Sequence, residues 1–182
     1  MFGWGTGELP LSTSNSSYST FYDWGRKRIG NDAPNTWRTL TYDEWHYLLE
    51  ERTNASSLIG IAEVNGVNGL ILLPDAWTCP EGVTFKSGFH DHDGVSYYAA
   101  YQTFTADQWS KLESAGAVFW PAAGYRYGSD VVYVRRYGYY WSAPTSKGYY
   151  AYCLYFSSDG TAMYDYSSSR SIGHSVRLVK DL

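Results

Sequence analysis

Cysteine is scarce in this chain, which contains only Cys79 and Cys153, far apart in the sequence. Their spacing matches none of the short patterns that bind zinc, carry out thiol redox chemistry or attach haem. Two cysteines permit one disulfide, and their number alone does not decide the compartment in which the protein works.

Basic residues and long apolar runs are also few. Lys and Arg number 14 against 18 Asp and Glu, a formal net charge of −4, so no basic surface is predicted for a phosphate backbone. No stretch approaches the roughly 20 apolar residues that a membrane span requires. Residues 1–7 lack the basic and apolar regions of a signal peptide. We therefore expect no nucleic-acid binding and no membrane insertion. Either the chain stays inside the cell, or it is a module of a larger protein whose targeting signal lies elsewhere.

Aromatic residues are abundant: 19 Tyr, 8 Trp and 7 Phe make up 19% of the 182 residues. The core of a single domain of this size needs far fewer, and tyrosine is favoured on recognition surfaces because it offers rigid contact area at little entropic cost. We interpret the excess as a recognition surface, while the alternative that the tyrosines only pave the outside of a sheet stays open. Most of them lie in the C-terminal third, at Tyr125, Tyr127, Tyr133, Tyr137, Tyr139, Tyr140, Tyr149, Tyr150, Tyr152, Tyr155, Tyr164 and Tyr166.

Two capping boxes predict two short helices. Thr41 and Glu44 begin the first, and Thr105 and Gln108 begin the second. Gly116 is a suitable stop for the second helix. Apolar stripes at helical spacing follow, with Trp45, Leu48 and Leu49 in the first helix and Trp109 and Leu112 in the second.

Short apolar runs predict strands. Ile59–Val64 and Leu70–Leu73 flank two Asn-Gly pairs, a pattern typical of a hairpin, and 75–94 has the composition of a long loop. Four more strands are predicted at Ala117–Pro121, Val131–Val134, Tyr139–Trp141 and Ala151–Phe156, and a last one at Ser175–Val179. The sequence therefore predicts an α+β fold with antiparallel sheets, two short helices and extensive loops. We expect one domain over 1–182, with an irregular segment anchored by aromatic residues at 1–35 and a Tyr-rich presenting region at 125–182.

Side chains alternate along the strand predicted at 151–156. Leu154, Phe156 and Tyr152 share one face, while Cys153, Tyr155 and Ser157 share the other. We expect one face to lie on the core and the other to be presented. Residues 158–172 are polar and rich in Gly and Ser, with Met and Tyr interspersed, a composition close to that of an antibody-like binding loop.

Several strings of the sequence together carry a resemblance that covers nearly the whole chain. They are Ala33–Thr41 with Glu44-Trp45, Val64–Pro74, Gly116–Arg126, Tyr137–Ser142 and Ser175–Val179. In these strings the chain resembles the major paralogous domain family of surface proteins from gut Bacteroidetes and their phages, related to the formylglycine-generating-enzyme branch of the C-type lectin-like fold. It is also similar to variable proteins that diversity-generating retroelements diversify.

The resemblance implies which positions would be scaffold and which would vary. In such systems template adenines are randomised, so that codons of the AAY type change while scaffold codons stay constant. Scaffold would then include Ala151, Leu154, Phe156, Gly173 and 175–179. The implied ligand-binding, variable positions are Tyr149, Tyr150, Cys153, Tyr155, Ser157, Asp159, Gly160, Ala162, Asp165, Tyr166, Ser167, Ser168, Ser171, Ile172 and His174. Because Cys153 falls among them, we expect no disulfide.

Catalytic and metal chemistry finds little support. The paired cysteines of formylglycine-generating enzymes and the three-histidine iron site of the related sulfoxide synthases have no counterpart here. The sugar-binding triplets of calcium-dependent lectins are also missing, so a calcium ion that bridges to a sugar is not supported. A structural calcium ion stays open as an alternative. His90-Asp91-His92-Asp93 has the residue types of a metal site, but its surroundings favour a solvated turn. No Gly-x-Ser-x-Gly elbow positions a nucleophile. We expect no enzyme, no catalytic residues, no cofactor and no metal ligands.

Three arginines lie among the tyrosines, at Arg126, Arg135 and Arg136. Arginine in this setting can act as a cation–π anchor or a recognition residue. For Arg126 we favour an internal, structural role that requires buried carbonyl or carboxylate partners.

The resemblance implies a non-enzymatic module that binds a receptor, a protein or a glycan on another cell, through a variable Tyr-rich surface. The module would lie outside the cell, on a bacterial surface or a phage virion, as part of a larger protein or assembly. The first alternative is a surface or carbohydrate-adhesion domain of constant sequence, which predicts mutually packed tyrosines on a shallow surface. The second is an oxidase of the formylglycine-generating type, which predicts a deep pocket with a metal or a reactive thiol near Cys153.

Overall fold

The computed structural model describes residues 3–4, 21–88, 101–157 and 162–181. Within these ranges the chain is mainly β-structure, with two α-helices. The helices are α1 (Tyr42–His46), which continues as a π-helical turn (Tyr47–Glu51), and α2 (Ala106–Ser114); two 3₁₀ turns span Trp24–Arg26 and Ala55–Ser57. The strands are β1 (Gly3–Trp4), β2 (Phe21–Tyr22), β3 (Arg38–Thr39), β4 (Ile59–Val64), β5 (Val67–Leu72), β6 (Thr103–Phe104), β7 (Val118–Pro121), β8 (Tyr125–Tyr127), β9 (Asp130–Val132), β10 (Tyr137–Lys147), β11 (Tyr150–Ser157), β12 (Ala162–Ser169) and β13 (Leu178–Val179).

The strands form several separate sheets. The two larger ones have the orders β6-β4-β5-β7 and β10-β11-β12, and β1-β2, β3-β13 and β8-β9 are pairs. Every pairing is antiparallel in the described residues except that of β4 with β6, which is parallel. The predicted α+β class, with several antiparallel sheets and two short helices, is confirmed.

Both helices begin as the capping boxes predict. The Thr41 side chain accepts from the backbone N–H of Glu44 while the Glu44 carboxylate accepts from that of Thr41, and Thr105 and Gln108 do the same for α2. Reciprocal capping satisfies N–H groups that have no partner inside a helix. Gly116, with a φ of 93°, ends the second helix as predicted.

The hairpin of β4 and β5 turns at Asn65-Gly66, where both residues have positive φ. This two-residue turn matches the twist of the strands. The second Asn-Gly pair lies inside β5, where Gly69 is required for another reason: a Cβ there would collide with the Trp120 carbonyl and the Phe119 ring on β7. Close strand packing, rather than a turn, explains this glycine.

The four-stranded sheet separates two apolar clusters. On one side it packs against α2, with Leu112 and Phe104 fully enclosed. On the other side it faces α1 and the three-stranded sheet, where Trp45, Trp120 and Phe156 meet. The Trp45 and Trp120 rings lie 4.7 Å apart edge to face, and burial of such large rings contributes much of the core stabilisation.

Arg52 joins the end of the π-helical turn to this core and is itself buried. Its guanidinium donates to the carbonyl oxygens of Leu48, Leu73 and Leu58 at 2.7, 2.8 and 3.3 Å, and it lies 3.2 Å from an oxygen of Asp75. A buried guanidinium needs such acceptors, because an unsatisfied charge inside a protein is strongly destabilising.

The last described strand, β13, pairs with β3, which directly precedes α1. Beside this pair the Arg38 guanidinium donates to both oxygens of Glu44, at 2.6 and 2.7 Å, and to Asp181 at 2.9 Å. The hydrogen bonds from Arg38 lower the pKa of Glu44 to about 2. The carboxylate that caps α1 thus also ties the helix to the C-terminal strand.

Candidate functional site

One face of the three-stranded sheet carries a continuous group of aromatic rings, which we call the tyrosine layer. Tyr139 on β10 is its centre, with ring centroids at 5.0 Å from Tyr155, 5.3 Å from Tyr125 and 5.7 Å from Tyr166. Its members come from β8, β10, β11, β12 and the turn after β9, so tertiary structure assembles them. The layer consists of Tyr125, Tyr133, Tyr137, Tyr139, Tyr155 and Tyr166, with neighbouring centroids 5.0–6.3 Å apart.

A buried histidine supports the layer from beneath. The His174 ring stacks on Tyr139 at 4.8 Å with an interplanar angle of 9° and lies 4.2 Å from Trp141. Its Nε2 is 2.7 Å from the Ser168 hydroxyl, and burial lowers the pKa of His174 to about 3. The imidazole is therefore neutral at physiological pH and acts as part of the packing.

Cys153 lies under the same layer. The thiol is fully buried, 3.5 Å from the Tyr166 carbonyl oxygen, and burial raises the pKa of Cys153 well above its ordinary value. A thiol in this environment is protonated at neutral pH and a poor nucleophile. The oxidase alternative predicts a reactive thiol near Cys153, and the structure gives this cysteine the opposite character. Both cysteines are free, and Cys79 is exposed.

The layer is only partly open to solvent. Tyr139 is buried, Tyr125, Tyr137, Tyr155 and Tyr166 are half-buried, and Tyr133 is 46% exposed. Burial also raises the pKa of Tyr139 and, to a smaller extent, that of Tyr125, so these phenols stay protonated. Rings held on several sides keep one orientation, and the exposed ring edges and hydroxyls form a rigid surface.

A β-bulge decides which tyrosines of β12 join the layer. Cys153 on β11 is opposite Tyr166, but Tyr155 is opposite Met163, so β12 carries one extra residue between these pairs. The extra residue reverses the alternation of side chains. As a result Tyr166 joins the layer, whereas Tyr164 lies on the other face of the sheet, against Tyr42 and His46 of α1.

A small depression of about 190 Å³ opens beside Tyr125. Gly124 in its wall has a φ of 67°, and a Cβ there would collide with the Val132 carbonyl, so only glycine fits. Arg126 is half-buried in it, and His174 is buried below it. The lining residues are Ala123, Gly124, Tyr125, Arg126, Val131, Gly173, His174 and Ser175.

An exposed, strained turn borders the depression and the layer. Tyr133 and Arg135 have φ values of 58° and 70°, in the left-handed region that bulky residues rarely occupy. The turn keeps this shape because Ala122 accepts from the Arg135 N–H at 2.7 Å and the Asn68 amide donates to the Arg135 carbonyl at 2.8 Å. Strained backbone held by its surroundings is typical of binding sites.

Exposed apolar side chains extend the same surface. Val134 belongs to the strained turn, Tyr127 and Val131 belong to the β8–β9 hairpin, and all three are more than half exposed. The sequence predicted a strand through Val131–Val134, but β9 ends at Val132 because the chain enters the turn. These residues were missing from the predicted site; the only sequence signal was that the tyrosine-rich window already begins at Tyr125.

The structure places the predicted variable positions in four environments. Tyr149, Tyr150, Asp165 and Ser167 are exposed. Tyr155, Ala162, Tyr166, Ser171 and Ile172 are half-buried. Cys153, Ser157, Ser168 and His174 are buried. Asp159 and Gly160 lie outside the described residues.

The four buried positions correct the prediction that the whole second face of β11 and its neighbours is presented. The faces were assigned correctly, since Leu154 and Phe156 pack in the main core while Cys153 and Tyr155 lie on the opposite side. However, tyrosine side chains from β8, β10 and β12 cover that opposite side. A small side chain such as that of Cys153 ends beneath the longer ones, and strand alternation cannot show this.

Two of the predicted residues, Tyr149 and Tyr150, lie apart from the others at an exposed hairpin tip. Tyr149 and Tyr150 follow Gly148 at the tip of the β10–β11 hairpin and are 77% and 52% exposed. Buried Arg170, directly after β12, fixes the tip, since its backbone N–H donates to the Tyr149 carbonyl at 3.1 Å and its Nε to the Tyr150 carbonyl at 3.3 Å. Among the rings described, neither tyrosine contacts the tyrosine layer.

No group of three or more His, Cys, Asp or Glu in the described ranges is arranged to hold a metal ion. The residues 90–93, which the sequence singled out for their metal-ligand types, lie outside those ranges. In the same ranges no helix has the length and apolar character needed to cross a membrane. Comparisons of the chain with protein-family models, curated proteins and solved structures found no match.

Proposed function

We propose that this chain is a non-enzymatic binding module that recognises a protein or glycan receptor through the tyrosine layer and the strained turn beside it. The proposal includes a C-type lectin-like fold and a place outside the cell, on a bacterial surface or a phage virion. The observation that carries it is the layer itself: six tyrosines from five parts of the chain, packed on one another and still partly open to solvent.

The energetics of such a surface favour binding. Immobilising a side chain at an interface costs about 0.5–1.5 kcal/mol, and the rings of the layer are already held by their neighbours. Contacts between aromatic rings are worth about 0.5–1.5 kcal/mol beyond the area they bury. The layer therefore offers aromatic contact area and phenol hydroxyls with little entropy left to lose.

Retroelement diversification is part of this proposal for the exposed positions. Tyr149, Tyr150, Asp165 and Ser167 accept many side chains without disturbing the core, because each is open to solvent. Buried Cys153 and His174 do not offer that freedom. Sequencing of the encoding locus tests the idea: a nearby reverse transcriptase and an imperfect repeat with mismatches at template adenines support diversification.

The alternative of an adhesion domain of constant sequence also has an observation in its favour. It predicts mutually packed tyrosines on a shallow surface, and the rings of Tyr139, Tyr155 and Tyr166 contact one another. Packed residues resist replacement, since each substitution disturbs its neighbours. A locus without the repeat, together with binding through the layer, would favour this alternative.

Binding itself is tested with labelled, multimerised protein on a glycan array and on intact gut bacterial cells. Tyr133→Ala removes the most exposed ring of the layer, and Tyr47→Ala is its matched control, because both tyrosines are 46% exposed. Tyr47 follows α1, which packs on the opposite face of the sheet. We expect Tyr133→Ala to weaken binding at least fivefold and Tyr47→Ala to leave it unchanged. Equal binding by both variants, or no binding by the wild type to either target, would contradict the proposal.

A further inference from the structure

We infer that the depression beside Tyr125 binds the carboxylate of an acidic sugar unit, such as a hexuronic acid, with the Arg126 guanidinium as its partner. This inference rests on the proposed binding function and specifies the ligand class for one part of the same surface.

The position of Arg126 is set by its backbone. Its N–H donates to the Gly173 carbonyl at 2.7 Å, and the Gly173 N–H donates to the Arg126 carbonyl at 2.8 Å. The Arg126 side chain lies along Gly173, since a Cβ built on that glycine would be 3.1 Å from the Arg126 Nε. The guanidinium stem is therefore directed across the wall of the depression rather than into bulk solvent.

The guanidinium has no acid partner among the described residues. The ion pairs there involve other arginines, including Arg135 with Glu63 at 3.6 Å, and no described side-chain hydrogen bond engages Arg126. The sequence predicted buried carbonyl or carboxylate partners for this residue, and the described part of the chain supplies none to its side chain. A guanidinium without a protein acceptor is available to a ligand anion, because a carboxylate matches its planar fork of N–H donors with two parallel hydrogen bonds.

A second unsatisfied group lies at the same place. His174 lines the depression, and its Nδ1 is buried without a hydrogen-bond partner among the described residues. Because burial keeps the ring neutral at physiological pH, one of its nitrogens carries a proton and the other does not. Buried polar atoms are normally hydrogen-bonded, so the unsatisfied Nδ1 of His174 is a second polar group at this depression without a protein partner.

The surrounding charges are mainly positive although the chain as a whole is acidic. Arg135 and Arg136 lie on the adjoining turn and are exposed, and the Arg136 guanidinium is 5.6 Å from the centre of the Tyr137 ring. Within the described ranges, the acids on the neighbouring strands are Glu63, already paired with Arg135, and exposed Asp130 on β9. This local excess favours an anionic ligand.

The shape favours a sugar over an acidic peptide. A volume of about 190 Å³ accommodates one sugar ring with its carboxylate, and one guanidinium provides one binding point for an anion. The aromatic ring of Tyr125 provides a face on which the C–H side of a pyranose packs, and the phenols provide hydroxyl partners. An acidic peptide carries each carboxylate on a flexible side chain and has no pyranose ring to pack on Tyr125.

The test uses immobilised wild-type protein and four soluble probes: oligogalacturonate, its methyl ester, a neutral galactose oligosaccharide of the same length, and a hexaglutamate peptide. Arg126→Gln removes the guanidinium, Arg126→Lys keeps the charge without the planar fork, and exposed Arg28→Gln is the matched control. Thermal melts of every variant check the fold. Because Arg126 has no described side-chain partner, we expect its substitutions to fold.

We expect oligogalacturonate to bind and its methyl ester to bind at least tenfold more weakly. Arg126→Gln should lower the affinity about tenfold to hundredfold, the range for a lost hydrogen bond to a charged group, with a smaller loss in Arg126→Lys and none in Arg28→Gln.

Three results would overturn the inference: equal binding of acid and ester, wild-type affinity in a folded Arg126→Gln, or preference for hexaglutamate over the sugars. If none of the four probes binds, while binding to the array or to cells still depends on Tyr133, the carboxylate site is overturned and the proposed binding function stands. If binding to the array and to cells fails as well, both proposals are overturned.

Discussion

Acidification from pH 7.5 to pH 5.0 should lower the free energy of unfolding through the buried imidazole of His174. Burial lowers the pKa of this group in the folded protein to about 3, from an ordinary value of 6.5. Between these two pH values the unfolded chain binds a proton that the folded protein does not. The stabilisation is therefore complete above pH 6.5 and is lost progressively as the pH falls below it.

The size of the effect follows from the two pKa values. The free energy of unfolding should be about 2 kcal/mol lower at pH 5.0 than at pH 7.5, because a difference of one pKa unit corresponds to about 1.36 kcal/mol. The described groups around the ring are Tyr125, Tyr139, Trp141 and Ser168, none of which is charged in this pH range. The lowered pKa of Glu44 acts only at lower pH, below about 4.5.

Urea unfolding followed by tryptophan fluorescence at both pH values measures this difference. His174→Gln is neutral throughout and should lose about 2 kcal/mol less on acidification than the wild type, whatever its stability at pH 7.5. His46, half-exposed on α1, is kept in every variant. His90 and His92 are unchanged in every variant, so their contribution cancels. Equal loss of stability in the wild type and His174→Gln would refute the assignment of a neutral, buried imidazole.

Three further outcomes check other parts of the fold. A thiol reagent such as DTNB should modify exposed Cys79 in the native protein and should reach Cys153 only after unfolding. Rapid modification of two thiols in the native protein would contradict the burial of Cys153. Arg52→Met should destabilise the protein by about 3 kcal/mol in urea unfolding, because the carbonyl groups of Leu48, Leu58 and Leu73 each lose a hydrogen bond from the buried guanidinium. A loss below about 1 kcal/mol would argue against this network. Glu44→Gln should lower the free energy of unfolding by about 1 kcal/mol at pH 7, since the ion pair of Glu44 with Arg38 is partly exposed and screened. The variant should also lose less stability than the wild type between pH 4.5 and pH 2. An unchanged acid transition would contradict the lowered carboxylate pKa.

The candidate site illustrates where prediction from sequence stops. The concentration of tyrosines after Tyr125 was visible in the sequence, and so was the division of β11 into two faces. Whether a residue on the outer face reaches solvent depends on the length of the side chains that neighbouring strands place around it. Cys153 is buried for that reason, although it shares a face with Tyr155.

Residues of the strained turn show a second limit. The composition of Val131–Val134 predicts a strand, because β-branched and aromatic residues favour extended backbone. Tyr133 nevertheless adopts a left-handed conformation, because Arg135 in the same turn donates to the Ala122 carbonyl and accepts from the Asn68 amide, and both partners lie outside the turn. Tertiary contacts outweighed local propensity at the point that the proposed binding surface uses.

Local patterns by themselves determined the helix starts at Thr41 and Thr105, the turn at Asn65-Gly66 and the α+β class, because capping, positive φ and side-chain periodicity act over a few residues. Only the tertiary structure decided that six tyrosines meet in one layer, that a bulge sends Tyr164 and Tyr166 to opposite faces, and that Arg126 has no acid partner among the described residues. These features depend on strand register and on packing between distant segments, and the energies that select them come from contacts that no short stretch of sequence contains.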